Sequence, residues 1–140
     1  MSESIPLRDK RMVAERAQHA CEYCLSQLRY SPDPFSVDHI VALAQDGSND
    51  TDNLALACQG CNGSKFTAID AVDPITGQFV PLYNPRIHHW AEHFVWAEEY
   101  SLILGVTPTG RATVAKFQLN RSGVVNLRKV LHPLGKRTLR

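Results

Sequence analysis

Between Ser36 and Asn62 the chain reads SVDHIVALAQDGSNDTDNLALACQGCN, with an acid beside a histidine, two further asparagines of interest and a cysteine pair. Asp38 offers hard carboxylate oxygens of the kind that bind magnesium or manganese. His39 is of the residue type that most often serves as a general base. Asn62 offers a neutral carbonyl oxygen as a second ligand, and Asn53 an amide able to fix the loop or the His39 ring. Phosphodiester hydrolysis needs such parts: a base to activate water, a cation to stabilise the phosphate and the departing oxygen, and groups that hold both. Singly, each residue has an ordinary use, Asp-His as a pair at a strand edge and the asparagines in turns and caps. Their joint placement carries the chemical reading.

The cysteines frame that stretch. Cys21-x2-Cys24 and Cys58-x2-Cys61, 33 residues apart, have the spacing of two zinc knuckles that share one tetrahedral ion. One metal then clamps both ends of the segment carrying Asp38, His39 and Asn53. A structural zinc is worth roughly 10–16 kcal/mol in small peptides, against a net stability of about 5–15 kcal/mol for a whole domain. Four buried free thiols, or a redox pair, are the competing readings. His19 is a spare ligand that a four-cysteine shell does not need.

The elements that must position these groups follow from periodicity. Met12, Val13, Ala17 and Ala20 recur at helical spacing and predict an amphipathic helix over residues 8–19. FSVDHIV and LALAC read as strands on either side of a polar loop, and CNGSKFTAIDAV as a helix with Phe66 and Ile69 on one side. Adjacent strand residues point to opposite faces, so Asp38 and His39 can share a site only if the strand ends there. Farther on, an extended segment is expected from Phe94. SLILGVTP and ATVAKFQLN, split by Thr109-Gly110-Arg111, predict a β-hairpin, and SGVVNLRKVL a C-terminal helix.

CEYC, VDHIVALAQDGSNDTDNLALAC and CQGCNGSK together resemble the HNH endonucleases, of the ββα-metal class, over residues 21–65. The resemblance implies an α+β fold: a ββα-metal core clamped by a four-cysteine zinc site, with an N-terminal helix and a C-terminal β-hairpin plus helix. It implies Asp38 and Asn62 as ligands of a catalytic magnesium or manganese ion, His39 as general base and Asn53 as the residue that orients it. Asn62 stands where the family's last histidine usually sits, and members with asparagine there are active. PLYNPR and the W..HF..W run also resemble the tail of a bacterial subgroup. Lys65, one turn beyond Asn62, is expected at the scissile phosphate or in solvent. His88, His89 and His93 form a second cluster; core packing by Trp90, Phe94 and Trp96 is the favoured reading of that region.

The 140 residues suit one domain, with a nuclease core at 21–73 and an extension at 74–140. The net charge of +1 conceals an asymmetry: all 14 acids lie in residues 1–100, while residues 101–140 hold 8 of the 15 Lys and Arg. That tail, with Arg111, Lys116, Arg121, Arg128 and Lys129, is expected to grip the phosphate backbone of DNA without reading its sequence. RNA is left open as a second substrate. No stretch approaches the roughly 20 apolar residues of a membrane span, and MSESIPLRDKRM lacks the apolar core of a secretory signal, so a cytoplasmic protein without a membrane partner is expected. A homodimer would suit cutting of both strands. The expected activity is metal-dependent endonucleolytic hydrolysis of DNA; the alternative is a non-catalytic zinc-ribbon module that binds nucleic acid.

Overall fold

The computed structural model describes residues 4–138, so Arg140 of the basic tail lies outside them. Helix α1 (Leu7–Arg16) starts after Pro6, whose carbonyl accepts the Asp9 and Lys10 amides. It stops before residue 19, because Gln18 and His19 both take positive φ. Val13 and Ala17 are fully buried.

Strands β1 (Ser36–His39) and β2 (Leu54–Ala57) pair antiparallel, with Asp38 opposite Ala55 and His39 opposite Leu54. All four β2 residues are buried, and they divide by strand alternation. Leu54 and Leu56 pack with Val13 and Ala17 of α1. Ala55 and Ala57 face the larger core, which holds the cysteines, Tyr23 and Ile40. The same core takes in Leu82, Phe94, Ile103 and Phe117 from the second half, so both halves share one apolar interior.

Helix α2 (Gln59–Lys65) is shorter than the expected run through residue 72. Phe66 takes φ 51°, which ends it, and Asp70–Val72 forms β3, paired with β4 (Phe79–Pro81). Phe66 and Ile69 are exposed rather than the buried side of a helix. The single turn α3 (Trp90–His93) leads into β5 (Phe94–Ala97), the extended segment expected from Phe94.

The hairpin expected from residues 101–108 and 112–120 does not form. Strand β6 (Leu102–Gly105) pairs with β5 instead, and α4 (Pro108–Phe117) occupies the place of the second strand. Thr107 caps α4 by accepting the Gly110 amide at 2.9 Å, and Pro108 takes the first helical position, where its missing N–H costs nothing. Gly110 is therefore a packing residue and not a turn: a Cβ there would lie 2.1 Å from the His93 carbonyl oxygen. Helix α5 (Ser122–Leu131) follows as expected.

Two basic residues assigned to DNA are structural. Arg128 is buried and donates to the carbonyls of Ser101, Leu119 and Cys24 at 3.0, 2.8 and 3.2 Å, with its guanidinium 5.4 Å from the Trp96 ring centroid. Arg111 grips Asp73 through two bonds of 2.9 Å and pins the β3–β4 turn to α4. Those bonds hold the fully buried Asp73 carboxyl well below the usual carboxylate range, against desolvation, with help from the Ile75 amide and the Thr76 hydroxyl. A carboxylate with a depressed folded pKa stabilises the fold above its unfolded value of about 3.9 and loses that contribution as the pH falls through the folded value. Arg111→Gln is therefore expected to lower the urea midpoint at pH 7 and to flatten the loss of stability below about pH 4. Equal acid-side slopes in the two proteins would show that the pair does not shift Asp73.

Candidate active site and metal centre

The four cysteines converge. Their sulfurs all lie within 4.8 Å of one another, all four side chains are buried, and none is in a disulfide. Four sulfurs about 2.3 Å from a tetrahedral zinc stand about 3.8 Å apart, and Cys24 and Cys58 are already at 3.6 Å. The cluster fits a structural zinc. Burial pushes the Cys21 thiol up, whereas hydrogen bonds from Cys21 and the other two thiols pull Cys24 well down. Cys61 is pushed up like Cys21 and Cys58 is pulled down to about 7, so the sulfurs that ionise, Cys24 and Cys58, are buried charges that need positive charge nearby.

Arg121 supplies it. Its Nη2 donates to Cys58 Sγ at 3.3 Å and its Nη1 to Cys61 Sγ at 3.6 Å, while Nη1 also meets the Phe117 and Gln118 carbonyls. Burial opposes the guanidinium charge, but the thiols of Cys61, Cys24 and Cys58 raise the Arg121 pKa overall. Gly60 makes room for it, since a Cβ there would fall 2.6 Å from Arg121 Nη2. Arg121 was expected on DNA; it is instead bonded to the second knuckle, as Arg128 is to the first.

Strand β1 ends at His39, which resolves the difficulty of alternation. Asp38, His39 and Asn62 line one open cleft of about 290 Å³, walled by Val37, Ala42, Leu43 and Phe66. Asp38 comes from β1 and Asn62 from the middle of α2, whose N-cap is Cys58, so the second knuckle positions Asn62 directly.

Asp38 is only 6% exposed. Its Oδ2 accepts from the Tyr23 hydroxyl at 3.0 Å and lies 3.3 Å from Lys65 Nζ. Burial pushes the Asp38 carboxyl up, with Lys65 and Tyr23 pulling against it. A carboxylate has about four lone-pair sites, so these partners leave capacity for a cation. Lys65 was expected in solvent or at the phosphate. It is 3% exposed and bonds Asp38 and, at 3.1 Å, the His39 carbonyl. Its two partners and its depth place it beneath the cleft.

Asn53 was expected to fix the loop or the His39 ring, the resemblance implying the ring; it fixes the loop. Its Oδ1 accepts the Val41 amide at 2.9 Å, and its Nδ2 donates to the carbonyls of Val41 and Ser48 at 3.0 and 2.8 Å. Both amide hydrogens are thus committed to the loop. The ring is held by Asn49, whose Oδ1 lies 2.7 Å from His39 Nε2. With the amide oxygen placed there, the contact is a hydrogen bond from Nε2–H in the tautomer that carries its proton on Nε2. Asn53 acts one step away, fixing the Ser48 backbone beside Asn49. Nothing but polarity marked Asn49 in a loop rich in Asn and Asp. Tyr23 was hidden between two cysteines.

The histidine cluster lies apart from this cleft. His88 and His93 face each other with ring centroids 4.9 Å apart, and His93 Nδ1 lies 2.6 Å from the Thr107 hydroxyl. The i, i+4 pair His89 and His93 makes no joint site, because α3 is a single turn with His89 before its first residue. Lys116 and Lys129 are exposed. Among the described residues no helix is long and apolar enough to cross a membrane.

The family model described as HNH endonuclease matches residues 21–67, a segment that spans both knuckles and every polar residue of the cleft. No curated protein and no solved structure matches the chain. The purified protein is expected to carry one zinc per chain by elemental analysis. Arg121→Ala is expected to speed zinc transfer to a chelator about tenfold or more with an unchanged circular dichroism spectrum. An unchanged transfer rate would mean that the guanidinium adds nothing to metal retention.

Proposed function

We propose that the chain is a metal-dependent endonuclease that hydrolyses phosphodiester bonds in DNA, with β1, β2 and α2 as a ββα-metal core. The observation that carries this reading is the convergence of Asp38, His39 and Asn62 on one open cleft inside the segment matched to the HNH endonucleases.

The cysteines hold a structural zinc that fixes both ends of the segment. His39 is the general base. With Nε2 held by Asn49, the Nδ1 lone pair takes the proton from the attacking water, and the phosphorus–oxygen bond to the departing 3′ oxygen breaks as the new one forms. Asp38 and Asn62 hold a divalent ion, magnesium or manganese, since two oxygen donors and no soft ligand suit hard cations. That ion, when bound, neutralises charge on the phosphate and the leaving oxygen. Lys65 balances Asp38 from below and keeps a buried carboxylate ionised. Lys116 and Lys129, which are exposed, remain as contacts to phosphates.

Supercoiled plasmid is expected to be nicked with added magnesium or manganese and not without. His39→Ala is expected to lose at least about a hundredfold in rate at an unchanged melting temperature. Asn49→Ala is expected to lose less, and to shift the rate profile near neutral pH because the ring loses its fixed tautomer. Cutting by the folded His39→Ala protein at the parent rate would remove the assignment.

A further inference from the structure

A second cleft, of about 730 Å³, is more than twice the volume of the one that holds His39, at about 290 Å³. That volume falls within the roughly 300–1,000 Å³ of small-ligand sites. Its composition is unusual in a chain that is only 8% aromatic. Trp90, Phe94, Trp96 and Tyr100 all line it. Successive ring centroids lie close, 5.0 Å from Trp90 to Phe94, 5.6 Å from Trp90 to Trp96 and 5.7 Å from Trp96 to Tyr100. Trp96 and Tyr100 are half-buried, so part of each still meets solvent.

The same cleft is lined by two arginines, Arg16 and Arg86, and by one carboxylate, Glu22. Both oxygens of Glu22 are engaged. One pairs with Arg86 Nη2, and the other accepts the Leu56 amide at 2.9 Å. Arg16 donates to the Leu54 carbonyl at 2.7 Å and has no carboxylate of its own in the cleft. Burial, and then the neighbouring Arg86 charge, lowers the Arg16 pKa, with Glu22 and Asp52 acting the other way. Arg86 Nη1 is a buried donor with no acceptor among the described residues. A guanidinium nitrogen left so is costly, and an anionic oxygen is the partner it lacks.

Trp90 and Phe94 are buried beneath the two half-buried rings, Trp96 with Arg128 over it at 5.4 Å and Tyr100 with Arg137 over it at 3.8 Å. These rings beside Arg16 and the open Nη1 of Arg86 form a set complementary to one nucleotide. The base stacks on aromatic side chains whatever its identity, and the phosphate accepts from arginine. An aliphatic ligand would not answer the charge, and an inorganic anion would not use the rings. The position agrees. Tyr83 and His88 line this cleft and also a smaller one of about 220 Å³, which Ile40, Val41 and Lys65 wall from the side of Asp38 and His39.

We propose that this cleft takes an unpaired nucleotide of the nucleic acid that is cut at His39. The inference rests on the nuclease reading of that site and narrows its substrate to strands that are single or locally open. A base stacked within a duplex presents neither face to a protein ring.

Trp90 and Trp96 are the chain's two tryptophans, so intrinsic fluorescence reads this cleft alone. Zinc-loaded full-length protein, without added magnesium or manganese, is titrated with a short oligothymidylate, a paired duplex of equal length and thymidine 5′-monophosphate. Anisotropy of dye-labelled strands reports binding anywhere on the protein. The single strand is expected to quench the tryptophans saturably, with the duplex and the mononucleotide at least about tenfold weaker. Arg16→Gln and Arg86→Lys are each expected to weaken that quenching at least about fivefold. Arg86 pairs with buried Glu22, so its variant is checked by melting; Arg16 is exposed, and its variant carries the test if the other unfolds. Strand binding by anisotropy without a tryptophan response, or quenching as tight by duplex or by mononucleotide, overturns the proposal and leaves the nuclease reading standing. Absence of any nucleic-acid binding by anisotropy overturns both.

Discussion

Four buried sulfurs within 4.8 Å of one another are the constraint on which the rest of the fold hangs. Besides the packing of β2 between α1 and the larger core, the chain between the two cysteine pairs has little regular structure to hold it. Strands β1 and β2 have four residues each, α2 has seven, and the connecting loop is polar. A two-stranded hairpin of that size is marginal alone. Tying its entry to Cys24 and its exit to Cys58 removes most of the freedom of the intervening loop, and a shared metal ion binds more strongly than such a hairpin folds. The second knuckle does more than close the loop. Cys58 caps α2, and one turn later the same helix presents Asn62 to the cleft.

The basic tail shows how charge can mislead when only its sign and place in the chain are known. Eight basic residues after residue 100, with no acid among them, read as a surface for a polyanion. The charges that the first hundred residues lack are supplied from this tail to the interior. Arg111 answers Asp73, Arg121 answers the thiols of Cys58 and Cys61, and Arg128 caps the carbonyls of Ser101, Leu119 and Cys24. Apart from the bonds of Arg128 to Leu119 and Ser101, 9 and 27 residues away, the pairings span from 38 residues for Arg111 with Asp73 to 104 for Arg128 with Cys24, so no local pattern could reveal them. The tail is the outer brace of the metal centre.

What was legible in the sequence was whatever is written locally. The knuckle spacing, the strand at LALAC, the strand that carries Asp38 and His39, and the helix at SGVVNLRKVL are all read within a few residues, and the structure forms each. Local signals failed where one residue type serves two purposes. Gly110 read as a turn because glycine usually frees the backbone, but here it lets α4 approach the His93 carbonyl. Thr107-Pro108 is a helix start signal, but the β-branched residues around it match strands equally well. Phe66 and Ile69 matched a helical face, but the positive φ of Phe66 ends the helix. In the cleft, the asparagine that touches His39 differs from the one expected, because two asparagines four residues apart in a polar loop cannot be told apart without knowing which way the loop turns.

The internal use of arginine bears on how a nucleic acid can be held. With Arg111, Arg121 and Arg128 committed, Lys116 and Lys129 are what remains exposed of the five tail residues assigned to DNA, and Lys65 is sealed under the cleft. Exposed cations also stand outside that set, at Arg8, Lys10, Arg11 and Arg16 near the N-terminus and at Arg29 and Lys136, and each phosphate they neutralise adds a roughly fixed increment to the salt dependence of binding. Contacts that salt does not screen add to that grip. Aromatic stacking is the strongest sequence-tolerant contact of that kind, and the rings of the chain are concentrated in the cleft beside Arg16 and Arg86. Exposed cations for the backbone and rings gathered in one cleft thus favour a protein that engages bases as well as backbone. Bases are exposed to such contact where the duplex is open.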